Sequence, residues 1–205
     1  MPESVVASRA STARVSAARE RLLRVASELF YREGIHRVGL DRVLTEAQVT
    51  RATMYRYFPG KEALVAAYLT REDETVRAQV KATRQAATPP HADEPEPRAF
   101  LELLIEAIAD DIVRHHDRGC PFINAAVEYP DAHSPIREIV TRHRVWFRST
   151  LGDALEAAGT VPADSGAAAG ALVLLRDAAL VGAYLDGAEI VRPVFIAQAR
   201  AAAGL

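Results

Sequence analysis

Apolar side chains recur at three- and four-residue steps along most of this 205-residue chain. That spacing lines one face of an α-helix, and no stretch alternates with period two for long enough to propose a strand. Leu22, Leu23, Ala26, Leu29 and Phe30 make one stripe within residues 16–33, stopped by Gly34. Leu40, Val43, Leu44 and Ala47 make a second, shorter one. The turn Ala47-Gln48-Val49-Thr50 then delivers the chain to a segment that Thr50 can cap and Pro59-Gly60 ends after about two turns. Residues 61–84 read as a long helix with Leu64, Val65, Tyr68 and Leu69 early and polar residues later. Residues 86–98 hold Pro89, Pro90, Pro95 and Pro97 and predict a loop. Further helices are expected over 99–116, with Phe100, Leu103, Leu104, Ala107, Ile108 and Ile112 inward, and over 121–129. The last three are 136–158, carrying Ile139, Val140, His143, Trp146, Phe147 and Leu151, then 165–185 and 194–203. The fold class expected is all-α.

The capped two-turn segment is the most informative. On a 3.6-residue period Met54, Tyr55 and Phe58 share a core-facing side, while Ala52, Thr53, Arg56 and Tyr57 share the other. The second side combines a small residue, a hydroxyl, a guanidinium and a phenol, which suits a helix lying in a major groove. Thr53 and Arg56 are placed for base edges, with Ala52 allowing close approach. Thr50, Tyr57 and Lys61 are placed for phosphates, and Arg51 in the first turn for either. Helix, short helix, tight turn, short helix is the helix-turn-helix order. On Ala26, Leu29-Phe30, Gly34, Val43, Ala47, Val49-Thr50, Thr53, Tyr55, Phe58 and Lys61-Glu62, residues 21–64 resemble the N-terminal domain of TetR-family transcriptional repressors. Three positions depart from that family's pattern. Gln48 stands where glycine is usual in the turn, predicting strain or a turn that avoids the left-handed region. Gly39 replaces a capping threonine, and Ala52 a frequent glycine.

The net charge of −2 changes meaning once it is divided along the chain. Residues 1–61 hold eleven Lys and Arg against six Asp and Glu, and the remainder fourteen against twenty-one. A basic module beside an acidic body is expected when one part meets nucleic acid and the other does not. The apolar fraction of 49% excludes a disordered chain. One cysteine, Cys120, excludes an internal disulfide framework and suits a reducing cytoplasm. Residues 1–15 lack the apolar run of a signal peptide and are expected as a mobile arm, with Arg9 and Arg14 either solvated or reaching DNA. The organisation expected is that arm, a helix-turn-helix domain over 16–64, and an effector-binding and dimerisation domain over 65–205.

In the body, Phe122, Asn124, Tyr129, His143, Trp146 and Phe147 combine apolar surface with a few polar groups and are the candidate effector contacts. Cys120 reads as a small buried hydrophobe or as a redox thiol near a helix start. His115-His116-Asp117 before Cys120 makes a poor metal site, because adjacent histidines point to different sides of a helix. No metal or other cofactor is expected. Glu102, Glu106 and Asp110, spaced by four, read as a solvated face. Gly166, Gly170, Leu174, Ala178 and Gly182 recur every four residues, a small-residue stripe suited to close helix approach. The family resemblance implies a homodimer through the last two helices. A membrane span is not expected, since Arg176 and Asp177 interrupt the apolar run well short of about 20 residues.

The resulting expectation is a one-component repressor that leaves an inverted-repeat operator on double-stranded DNA when a small molecule binds. The alternative is a DNA-binding protein without an effector, constitutive or architectural. An enzyme has little support, with no nucleophile elbow or phosphate loop in the sequence.

Overall fold

The structure is a computed structural model that describes residues 3–115 and 118–205, with side chains over 17–114, 118–161 and 163–205. Among the described residues the regular elements are helices: α1 (Glu3–Glu33), α2 (Leu40–Ala47), α3 (Arg51–Tyr57), α4 (Lys61–Ala86), α5 (Pro97–His115), α6 (Pro121–Glu128), α7 (Pro135–Ala157), α8 (Pro162–Asp186) and α9 (Ala188–Ala203). They form two compact units, residues 1–71 with 124–139, and residues 72–123 with 140–205. The boundary expected at 64/65 falls within α4, and the first unit also takes in the end of α6 and the start of α7.

In the first unit, Leu22, Leu23, Ala26, Leu29 and Phe30 of α1 are buried with Val43, Leu44 and Ala47 of α2 and Leu64, Val65, Tyr68 and Leu69 of α4. These are the stripes that the three- and four-residue spacing marks out. Gly34 at φ +94° ends α1, and the same residue lets the Glu128 carboxylate approach to 3.4 Å of where a Cβ would stand. Glu128 accepts from the backbone N–H of Ile35 at 2.7 Å and from that of His36, so two amides left open beyond α1 are satisfied by a side chain about ninety positions away. The backbone of α1 is helical from Glu3, within the stretch expected as an arm. That stretch lacks an apolar stripe, yet its alanines and arginines are good helix formers and no proline follows Pro2. The side chains of Arg9 and Arg14 lie outside the described residues.

The second unit buries Phe100, Leu101, Leu104, Ile105, Ala109 and Ile112 of α5 against α8 and α9. Leu103, expected inward, is 40% exposed, and Leu101 and Ile105 occupy the core instead. The loop between α4 and α5 closes on itself through the bond from Glu96 N–H to the Ala87 carbonyl at 3.0 Å, and the Glu96 carboxylate then caps the α5 amides of Arg98 and Ala99. Helix α9 starts at Ala188, six residues before its expected start, and carries Pro193 inside it at the loss of one backbone bond. The earlier start has a consequence for the acidic row. Arg192 donates to Glu106 at 3.0 Å and to Asp110 at 2.7 Å, and Arg98 pairs with Glu102. Of the row expected as a plain solvated face, Glu106 and Asp110 thus dock α9, whose start at Ala188 brings Arg192 onto them.

Candidate nucleic-acid interface and ligand pocket

Helix α3 is built by its cap and by two anchors. Thr50 Oγ1 accepts from the Thr53 backbone N–H at 3.2 Å and donates to Thr53 Oγ1 at 2.9 Å. Met54 and Phe58 are buried at 0% and 3% exposure, which fixes the rotation of the helix. That rotation leaves Thr50, Arg51, Ala52 and Arg56 exposed and Thr53, Tyr57 and Lys61 half-buried. The seven sequence-predicted positions therefore lie on or beside one short helix. Tyr55, expected on the core side, is 47% exposed and belongs to this outer surface. Seven residues are too few for the period alone to assign a flank position, and only the burial of Met54 and Phe58 decides it.

The candidate DNA side chains are held rather than loose. The Arg51 guanidinium pairs with Asp41 of α2. Arg56 lies over the Tyr57 ring, 5.0 Å from its centre, and donates to the phenol oxygen at 3.0 Å. Such stacking keeps both groups extended at the surface. Lys61 Nζ donates to the His36 carbonyl at 3.4 Å; partial burial lowers its pKa, with Glu128 opposing the shift. Ahead of α3, Gln48 adopts φ 53°, ψ 47°, and the bond from Val49 N–H to the Leu44 carbonyl at 3.0 Å closes the turn. The turn keeps its left-handed residue despite the lack of glycine, and the expected alternative of a different turn is excluded. Gly39 caps α2 in extended conformation without a side-chain bond.

The predicted effector group is divided by the fold. Phe122, His143, Trp146 and Phe147 belong to the second unit, whereas Asn124 and Tyr129 belong to the first, where the Tyr129 ring lies 5.0 Å from that of His36. His143 is 2% exposed, stacked on Phe122 at 3.7 Å and 5°, and its Nδ1 is 2.8 Å from Asp73. Burial pushes its pKa down to about 4, against the opposing pull of Asp73, so the ring is neutral near pH 7 and its Nε2 is buried without a partner. Arg77 sits 4.0 Å above Trp146 and pairs with Asp73.

A cavity of about 320 Å³, counting the part open to solvent, lies in the second unit, lined by Val76, Gln79, Val80 and Thr83 of α4, Leu104, Ala107, Ile108 and Asp111 of α5, Phe147 and Arg176. Of the predicted effector residues only Phe147 lines it. The lining from the second half of α4 is not marked in the sequence because that half looks like a polar surface, and Arg176 because it looks like a break in an apolar run. Arg176 is 5% exposed; it lies over the Phe147 ring at 5.0 Å, and its Nη1 donates to Cys120 Sγ at 3.8 Å. Cys120 is buried, and no group of three or more metal-binding side chains occurs among the described residues. His116 and Asp117 of the disfavoured metal reading lie outside those residues, as does the His115 side chain.

Helix α8 corrects the membrane expectation in one respect: residues 163–186 are long and apolar enough, by length and composition, to cross a bilayer. Its two charges are nonetheless engaged, Arg176 as above and Asp177 with Arg144 at 2.8 Å. The small-residue stripe serves two ends. Gly182 packs within the unit, where a Cβ would meet Val191 of α9 at 3.2 Å, while Leu174 is 66% exposed.

Comparison with known proteins agrees with this arrangement. A family model for bacterial regulatory proteins of the tetR family matches residues 22–68, and one for the tetracyclin repressor-like C-terminal domain matches residues 94–185. An HTH-type transcriptional regulator of Mycobacterium tuberculosis is 34% identical over 70 residues, 34% of this chain and 35% of that one. The HTH-type transcriptional activator FasR of Mycolicibacterium smegmatis is 31% identical over 101 residues, 49% of this chain and 42% of that one. The chain thus spans between a third and a half of the length of these curated relatives. Among solved structures, a TetR-family transcriptional regulator from Streptomyces coelicolor is 40% identical with a TM-score of 0.84, covering 92% of this chain and 95% of that one. Reduced NemR of E. coli shares the fold at 20% identity, with a TM-score of 0.73 over 90% of this chain and 96% of that one. Both halves of the chain match models of one family, and similarity to a member extends over nearly the full length: the chain belongs to the TetR family of transcriptional regulators.

Proposed function

We propose that the protein is a one-component repressor whose dimer grips an inverted-repeat operator with two copies of α3 and releases it when a small molecule enters the second unit's cavity. The observation that carries the DNA half is the outer face of α3: Ala52, Thr53 and Arg56 presented over a buried Met54 and Phe58, flanked by Thr50, Tyr57 and Lys61. In this reading Thr53 and Arg56 meet base edges, Ala52 admits close approach, and Thr50, Tyr57 and Lys61 hold phosphates, with Arg51 serving either. In this reading the protein works in the cytoplasm, beside the chromosome.

The dimer is supported by apolar surface on the last two helices. Leu174, Val181, Tyr184 and Leu185 of α8 and Ile190 and Val194 of α9 are 46% to 69% exposed, a clustering of large apolar groups that marks interaction surfaces. Two-fold pairing would present two recognition helices to half-sites one helical turn apart. The cavity supports an effector. A tenfold preference of that ligand for the DNA-incompetent conformation shifts the equilibrium by about 1.4 kcal/mol.

Activation is the second reading, favoured by the likeness to the activator FasR. Reporter expression in the presence and absence of the gene separates the two. For the interface itself, gel shifts over a salt series are decisive. Arg56→Ala is expected to reduce discrimination between cognate and random duplex, and Lys61→Ala to weaken both alike with a salt slope lower by about one. Equal effects of the two variants on both duplexes would defeat the assignment.

A further inference from the structure

Resting on the reading of the cavity as the effector site, we propose that its ligand is an apolar molecule ending in a single carboxylate, received by the Arg176 guanidinium. Arg176 is nearly fully buried and lines the cavity, and its one acidic partner, Asp177, stands at the long end of ion-pair distance. The nearest carboxylate atom is Asp177 Oδ1 at 3.7 Å, and the other Asp177 oxygen is held by Arg144 at 2.8 Å. The hydrogen bond it makes is to the Cys120 thiol at 3.8 Å, a weak acceptor. Buried guanidinium groups ordinarily pair with carboxylates, because desolvation is otherwise uncompensated. The Phe147 ring beneath it holds the planar group in place for an incoming anion.

The remaining lining fixes the rest of the ligand. Val76, Val80, Leu104, Ala107 and Ile108 offer apolar wall to a hydrocarbon body. Asp111 lies in the same lining, bonded by Gln79 at 3.4 Å. One guanidinium set against one carboxylate favours a monoanion over a doubly charged head such as phosphate.

Calorimetric titration of the full chain with sodium octanoate, 1-octanol, octylamine and octyl phosphate tests this. Octanoate is expected to bind at least tenfold more tightly than each of the others. Arg176→Gln should remove the preference over octanol, and Arg176→Lys should retain part of it. Should Arg176→Gln fail to fold, Ala107→Phe fills the cavity with Arg176 intact and should abolish octanoate binding. Octanol binding as tightly as octanoate, tighter binding of octyl phosphate, octanoate retained by Ala107→Phe, or no octanoate binding at millimolar concentration would each overturn the proposal. Octanoate that binds through Arg176 without lowering affinity for DNA would leave the ligand class standing and refute the effector role.

Discussion

Gln48 shows how a single residue can keep a motif's geometry at a cost. A left-handed backbone costs a residue with a Cβ about 1–2 kcal/mol, and the φ of 53° here is that conformation. Gln48→Gly removes the strain but adds freedom to the unfolded chain worth about 0.4–1 kcal/mol. The net expectation is a gain of about 0.5–1 kcal/mol, read as a higher melting temperature, with DNA affinity unchanged. Gly39→Ser should add a few tenths of a kcal/mol more, because a Cβ there meets nothing within 4 Å and the backbone is already extended. His143 predicts a pH dependence. The unfolded chain takes up a proton near pH 6.5 that the folded chain refuses until about pH 4, so stability present at neutral pH is lost as pH falls through that window. The span corresponds to roughly 3 kcal/mol. Asp73, whose pKa is lowered by Arg77 and His143 against its own desolvation, adds a further loss at lower pH. Melting temperatures of wild type and His143→Gln between pH 4 and 7.5 should converge at the acidic end; parallel curves would contradict the buried neutral ring.

At the scale of elements, each of the helices α1 to α9 is legible in the sequence, α1 from residue 16 and α9 only from residue 194. Burial of Leu22, Val43, Leu64 and Leu151 follows from spacing alone. Positions set by a partner element were not legible. The ring pair of Tyr129 and His36 and the clamp of Glu128 on Ile35 depend on the end of α6 meeting the turn after α1, which no local pattern encodes. The docking of Arg192 on Glu106 and Asp110 likewise requires a helix start that Pro193 disguised. The clamp is testable: Glu128→Ala leaves the Ile35 and His36 amides unpaired and should cost about 2 kcal/mol, measured by chemical denaturation. An unchanged midpoint would mean that water replaces the carboxylate freely. The orientation of α3 is legible in the sequence, because a cap, a stop and two buried anchors determine it in so short a helix.

At the scale of the whole molecule, the division of charge acquires a physical purpose. The excess of basic groups within residues 1–61 attracts duplex, and the acidic remainder discourages it from binding elsewhere. Dimerisation through the exposed apolar groups of α8 and α9 would double the basic surface and fix the half-site spacing. Leu174→Glu is accordingly expected to yield a monomer by sedimentation and to lose operator affinity while each unit stays folded. The central claim is that two α3 helices read one inverted repeat, and footprinting on the promoter of the gene itself tests it most directly. The account predicts protection of two half-sites about one helical turn apart, occupied by two protomers together, with Arg56→Ala abolishing the protection. Protection of a single site by one protomer, or an unaltered footprint with Arg56→Ala, would contradict it.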